Sequence, residues 1–147
     1  IIKISLKDKA EILYFKLIRS AKYQLKKLVY GLYHNEVKKI NIRKSNKNFW
    51  RKRKYEDGQI DWRMSALSIY NLIRALSKPY DGAHFIHKNR EFKVFDSKVI
   101  RLTKENIEPG KILSANRGNL LIKCGFQALQ LKKIKSYKIF KNGDYLI

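Results

Sequence analysis

The side chains here whose types could do chemistry are three histidines, one cysteine and a few closely spaced acids. His84 and His87 stand three apart, a spacing that on a helix would turn two imidazoles toward one metal ion. They fall instead in strand-and-turn sequence with no thiolate nearby, so both read as structural, and His34 stands alone. Asp57 and Asp61 are four apart, but Gly58 between them signals a turn rather than an acid/base pair. Asp61 reads as the cap of a helix starting near Arg63. Cys124 occupies an alternating apolar position and reads as a buried small side chain, not a nucleophile. A single cysteine excludes an intramolecular disulfide framework and a multi-cysteine zinc site. The seven glycines are dispersed among turns and build no phosphate-cradling loop. No catalytic constellation and no metal site emerge.

Arg74 lies among apolar neighbours, which predicts either a buried ion pair with Asp61 or Asp81 or an anion site. Trp50 and Trp62 have the ring size to stack on a base, but read first as packing anchors.

The elements that must position these groups follow from charge and periodicity. The 147 residues carry 34 Lys+Arg against 12 Asp+Glu, a net charge of +22. Such a charge suits nucleic acid, whose phosphates release counterions to Lys and Arg. The same abundance of Lys, Ile, Asn and Tyr is also what AT-rich coding produces. One stretch stands out: Lys38, Lys39, Arg43, Lys44, Lys47, Arg51, Lys52, Arg53 and Lys54 form an acid-free run. The hydrophobic content of 44% is enough for a packed core. The longest central uncharged stretch, Met64 to Ile73, is bounded by Arg63 and Arg74, too short to span a membrane. The N-terminus has no signal-peptide pattern, and a chain opening on Ile reads as a piece of something longer.

Residues 1–4 read as the end of a strand, with Ser5 or Asp8 capping the next helix. Ala10, Leu13, Leu17, Ala21, Leu25, Leu28 and Leu32 recur at helical steps from Lys9 to about His34 and predict one buried face. Gly31 and Asn35 mark the end of this helix, and its length suggests a kink or two helices in succession. Residues 36–60 read as a basic linker held to a surface by Phe49 and Trp50. Residues 63–77 predict a second helix, stopped by Ser77-Lys78-Pro79. Beyond Gly82, strands are expected at 84–86, 91–101, 111–115, 120–124 and 129–131, with turns at 87–90, 109–110 and 116–119. Asn142-Gly143 predicts a closing hairpin. The fold class is α+β: a helical arm at 1–35, a linker at 36–60, and at 61–147 a helix with a small open barrel or sandwich.

Residues 49–85 carry specific words: Glu56-Asp57-Gly58, Ile60-Asp61-Trp62, Asn71-Leu72-Ile73-Arg74-Ala75, Pro79-Tyr80 and Gly82-Ala83. This stretch resembles the join between the two domains of the methionyl-tRNA formyltransferase family, which includes formyltransferases of amino-sugar nucleotides. Upstream, Asp8-Lys9-Ala10 through Leu13-Tyr14-Phe15-Lys16-Leu17 resembles the helix after that family's catalytic core. Downstream, Pro109-Gly110, Leu121-Ile122-Lys123-Cys124-Gly125 and Phe140-Lys141-Asn142-Gly143 resemble its C-terminal barrel.

The resemblance implies an oligonucleotide-binding-type (OB-like) open barrel and a cytoplasmic parent enzyme that moves a formyl group from 10-formyltetrahydrofolate to an amine. The family's Asn, its His-x-Ser-Leu-Leu-Pro-like loop and its later Asp are not in this sequence, so no catalytic residue carries over. The resemblance therefore implies a non-catalytic portion whose partner is a missing N-terminal catalytic domain. That domain, rather than this chain, would hold the 10-formyltetrahydrofolate, and a homodimer is possible. Its wording leans to an amino-sugar nucleotide acceptor, with Arg51, Lys52, Arg53, Arg74 and Tyr80 as candidate contacts. The runner-up is initiator tRNA, with Lys38, Lys39, Arg43, Lys44 and Lys47 as candidate contacts. A third expectation, of another class, is a stand-alone basic module in which Phe92 and Phe95 track a single nucleic-acid strand.

Overall fold

The computed structural model of the chain describes residues 1–38, 49–103 and 106–146. The expectations placed on Lys39, Arg43, Lys44 and Lys47 lie outside the described residues.

Among the described residues six short strands form two antiparallel sheets. The first pairs β1 (Ala83–His87) with β2 (Arg90–Val94). Lys88 and Asn89 between them both take positive φ, as a tight two-residue hairpin turn demands. The second sheet contains β3 (Ser97–Ile100), β4 (Ile112–Asn116), β5 (Asn119–Lys123) and β6 (Ala128–Leu131), in the order β3-β6-β5-β4. β4 and β5 join through Arg117 and Gly118, again both at positive φ. Alternation fixes the register: Leu120 faces Leu131 and Ile122 faces Leu129, all four fully buried. Among the described residues the two sheets do not close into a barrel. They share one core that includes Trp62, Phe85, Val94, Ile122, Leu129 and Phe140.

Helix α2 (Ala66–Ala75) covers this core with Ala66, Ile69 and Ile73. Ser65 caps it by accepting a hydrogen bond from Ser68 N at 3.0 Å. The cap is therefore not Asp61, which instead accepts from Arg63 N at 2.9 Å and ends a turn before the helix. The approach to α2 is welded to the β5–β6 corner. Gly125 N donates to both Trp62 O and Met64 O at 2.9 Å, and Ala66 N donates to Phe126 O at 3.0 Å. A Cβ on Gly125 would collide with the Arg63 carbonyl oxygen, so only glycine permits this approach.

Helix α1 (Ala10–Tyr33) is one continuous helix rather than two in succession. Asn35 takes positive φ after it, while Asn35 N donates to Leu32 O and Glu36 N to Gly31 O, a Schellman ending. Gly31 lies inside the helix, where its missing side chain makes room for Val37. Residues 1–4 form no strand. Neither Ser5 nor Asp8 caps α1; the cap comes from a distant residue, Ser77. Only the first turns of α1 are covered, and Leu17, Leu25, Leu28 and Leu32 are exposed rather than buried as their spacing predicts. Phe49 and Trp50 are 88% and 92% exposed, so they anchor nothing here.

Two strand expectations also change. The run 91–101 is broken after Val94, because the chain leaves one sheet at Phe95-Asp96 and enters the other at Ser97. Asn142-Gly143 makes a turn, with Gly143 at positive φ, but the segment beyond it pairs back on β4 rather than on its own neighbour. Ile112 N donates to Asp144 O and Leu146 N to Gly110 O.

Gly125→Ala is expected to lose about 2 kcal/mol or more, through forced separation of the two backbones. Urea unfolding checks this, and a wild-type midpoint would mean that the approach is not as close as described.

Candidate functional site

Arg74 makes two of the long-range polar contacts that hold the N-terminal segment. It sits near the end of α2, half-buried, one turn after Asn71 on the same face. Its Nε donates to Asn71 Oδ1 at 2.9 Å, and its Nη1 donates to Asp8 O at 2.8 Å and Ser5 O at 3.1 Å. Neither Asp61 nor Asp81 pairs with it, so the expected ion pair is replaced by a clamp on backbone carbonyls. Ser77 completes the clamp. Its hydroxyl donates to Arg74 O at 2.9 Å and accepts from Ala10 N at 3.1 Å, satisfying an orphan N–H at the start of α1. Tyr70 OH donates to Leu6 O at 3.2 Å, and Lys9 reaches Asp96 at 3.3 Å. Asp8 is buried and accepts from Lys16 Nζ at 2.6 Å and Ser5 N at 2.9 Å. Lys16, then the Ser5 amide, hold its carboxyl below the usual range.

A cleft of about 500 Å³ opens along this seam, with Arg74, Tyr80, Leu13 and Leu17 among its walls. Tyr80 also borders a second cleft of about 350 Å³, beneath the linker, which contains Arg53 but not Arg51 or Lys52. The structure thus brings Tyr80 to both Arg74 and Arg53. Arg51 turns elsewhere: its guanidinium grips both carboxylate oxygens of Asp57. That grip, followed by the Lys54 N bond at 2.7 Å, holds the Asp57 carboxyl well below its ordinary range. Lys38, Lys52 and Arg53 are exposed.

The remaining candidates are packed away. His84 stacks on Tyr55 with ring centroids 4.1 Å apart, and His87 packs against Phe140 at 5.0 Å. Burial pushes the His87 pKa down. Burial also pushes the Cys124 thiol up to about 12, which leaves it inert. Of the four rings in the nucleic-acid expectation, Trp62 and Phe92 lie in the core and offer no face to a base, whereas Trp50 and Phe95 are exposed. Sequence reading missed Ser77, Asp8 and Lys93 as members of these surroundings. Its sequence context assigns Ser77 only the role of a helix stop, and nothing local announces that its hydroxyl caps a helix 67 residues away.

The sequence pattern of the family described as "Formyl transferase, C-terminal domain" matches residues 52–144. The chain is 35% identical over 130 residues to the bifunctional polymyxin resistance protein ArnA of Wigglesworthia glossinidia brevipalpis, covering 88% of this chain and 19% of that protein. It is 32% identical over 134 residues to a methionyl-tRNA formyltransferase of Buchnera aphidicola subsp. Acyrthosiphon pisum, covering 90% of this chain and 42% of that one. Among solved structures, WlaRD, a sugar 3N-formyl transferase crystallised with dTDP and 5-N-formyl-THF, superposes with a TM-score of 0.60 at 18% identity. That likeness, over 90% of this chain and 46% of WlaRD, is one of fold. The chain spans less than half the length of each of these proteins. His84 and His87 are buried against Tyr55 and Phe140, each with an Nε2 that has no hydrogen-bond partner, and Arg74 spends Nε on Asn71 and Nη1 on the Ser5 and Asp8 carbonyls.

Arg74→Ala is expected to cost about 1–3 kcal/mol, because the carbonyls of Ser5 and Asp8 lose their donor. A thermal melt reads this, and an unchanged midpoint with weakened substrate binding would move Arg74 into a binding role instead. For Asp57 the folded pKa is depressed, so its ion pair contributes above the unfolded pKa and is lost as pH falls through the folded one. Arg51→Gln should raise the Asp57 midpoint toward the ordinary carboxylate range in an NMR titration. An unmoved midpoint would assign the depression to the Lys54 amide alone.

Proposed function

The chain belongs to the formyl transferase, C-terminal domain family, and from that premise we propose that it is the non-catalytic C-terminal portion of a 10-formyltetrahydrofolate-dependent N-formyltransferase. In this reading residues 1–35 are the helical end of a catalytic domain, 36–60 the interdomain linker, and 61–147 the C-terminal domain. The formyl carrier and the acid/base chemistry belong to the catalytic portion. The observation that carries the reading is the seam. Arg74 and Ser77 fasten the start of α1 to α2, while Leu17, Leu25, Leu28 and Leu32 of the same helix remain exposed. A helix held rigidly at one end and apolar along its free length is built to pack on a further body of protein.

The acceptor in this proposal is an amino-sugar nucleotide used in surface polysaccharide synthesis. The wording from Asn71 to Ala83 supports it. Arg53, Arg74 and Tyr80 are the nearest candidates to help position it, with Arg51 and Lys52 beside them. A second reading takes initiator tRNA as acceptor, favoured by the 32% identity to methionyl-tRNA formyltransferase and by exposed Lys38, Lys52 and Arg53. Burial of Trp62 and Phe92 counts against a stand-alone nucleic-acid module. Among the described residues no helix is long and apolar enough to cross a membrane.

The protein encoded by the full reading frame should be assayed with 10-formyltetrahydrofolate against 3-amino and 4-amino sugar nucleotides and against charged initiator tRNA. Formylation of a sugar nucleotide is the expected outcome. Product on tRNA alone would install the second reading. Turnover of neither, with RNA binding that falls steeply as salt rises, would sink the enzyme assignment.

A further inference from the structure

We propose that a lysine-rich rim at the β4–β5 turn docks on an anionic lipid bilayer, with Arg117, Lys133, Lys135, Lys138 and Lys141 meeting the headgroups. From Pro109 to Gly143 the sequence holds eight Lys or Arg and no acid. The five named residues are exposed, and among the described residues none has a carboxylate within ion-pair distance. The first acid beyond the run, Asp144, accepts from the backbone amide of Lys141 at 3.2 Å rather than from its ammonium group.

The fold gathers these cations at one end of the second sheet. Asn116 faces Asn119 across the β4–β5 turn, and Leu131 at the end of β6 faces Leu120. Ile134 N donates to Gly118 O at 2.8 Å, which lays the segment leaving β6 against the Arg117-Gly118 turn. Ala115 N donates to Asn142 Oδ1 at 2.8 Å, which returns the far end of that segment to β4. Between these ties Ile134, Tyr137 and Phe140 pack against the core at every third residue, the period of the 3-10 turn Tyr137–Ile139. The lysines beside them are left facing outward. Lys133 and Ser136 take positive φ, at 58° and 56°, a conformation that costs any residue with a side chain. Backbone held at such a cost is found where a surface has work to do.

The chemistry of the rim favours a bilayer over RNA. Four of its five members are lysines, compact point charges without the fork that grips one phosphate in two places. Proteins that track a nucleic-acid strand combine a basic groove with stacking rings. None of the five lines either cleft at Tyr80, and Tyr137, the ring set among the lysines, packs against the core. Between Lys132 and Lys141 no large apolar side chain is exposed, so the contact is by charge and not by insertion. A cluster of about five basic side chains is enough to attract an anionic leaflet. The inference goes beyond the formyl-transfer reading: it uses none of the residues placed near the acceptor and holds whichever amine the enzyme formylates.

The intact protein should be sedimented with phosphatidylcholine vesicles made with and without phosphatidylglycerol, and titrated separately with tRNA. Binding to the anionic vesicles alone is expected, with most of it lost as salt rises. A triple variant carrying Lys133→Glu, Lys135→Glu and Lys138→Glu should bind them at least about tenfold more weakly. All three side chains are exposed, so the variant is expected to melt at the parent's temperature. A control of the same net charge, with Arg19→Glu, Lys22→Glu and Lys26→Glu on the exposed side of α1, should bind as the parent does. Equal weakening of the two variants would mean that total charge, not the rim, does the binding, and would overturn the proposal. So would equal binding of neutral vesicles, no vesicle binding at low salt, or tighter binding of tRNA that the rim variant abolishes. None of these readouts depends on formylation, so either proposal can fail without the other.

Discussion

The arrangement of this chain depends on a short polar clamp. Arg74 donates to the carbonyls of Ser5 and Asp8, and Ser77 joins the last turn of α2 to the first amide of α1. Every helix begins with N–H groups that have no partner of their own, and water or a side chain must supply one. Here that side chain sits in the corner between α2 and β1, so the start of α1 is tied to the sheet-bearing core rather than to its own flanking residues. Buried Asp8 and its Lys16 partner, Tyr70 and Lys9 then add contacts that a free N-terminal arm would lack. The direction of α1, and hence the display of its apolar stripe, follows from that corner.

A second constraint acts on the core itself. The strand corner at Gly125 meets the backbone leading into α2 so closely that no side chain fits between them. Two backbone segments locked by reciprocal hydrogen bonds fix where Trp62 enters the core and where α2 begins. The long positive run of the sequence is likewise less uniform than its count suggests. Arg51 is consumed by Asp57 within the linker, whereas Arg53, Lys54 and Lys93 line one cleft with Tyr55. The number of cations therefore says less than which of them lack an acidic neighbour.

Much of the fold was legible because it is local. The spacing from Ala10 to Leu32 describes α1 to within a residue at each end, and Asn35 ends it with the left-handed conformation that asparagine tolerates. The turns at Lys88-Asn89 and Arg117-Gly118, and the burial of Leu120, Ile122 and Cys124, also follow from neighbours in sequence, although Lys123, expected to alternate with them, is buried too and donates its Nζ to Cys124 O at 2.6 Å. What was misjudged involves distant partners. Asp61 has the chemistry of a cap but lies a turn too early, and Arg74 has the chemistry of an ion pair but finds carbonyls closer than any acid.

The sequence by itself determined the helices and turns, the alternating core strands, the exclusion of disulfide and multi-cysteine zinc chemistry, and the words by which its family is recognised. Those properties depend on backbone preference, residue count and periodicity, which act over a few residues. Only the tertiary structure decided that Trp62 and Phe92 are core rather than binding rings, that the stripe on α1 stays uncovered beyond its first turns, and that Tyr80 stands between Arg74 and Arg53. Each is a matter of which surfaces meet. That depends on how α2, the β1–β2 hairpin and the N-terminal segment are brought together across some 70 residues of chain, a distance over which no local pattern carries information.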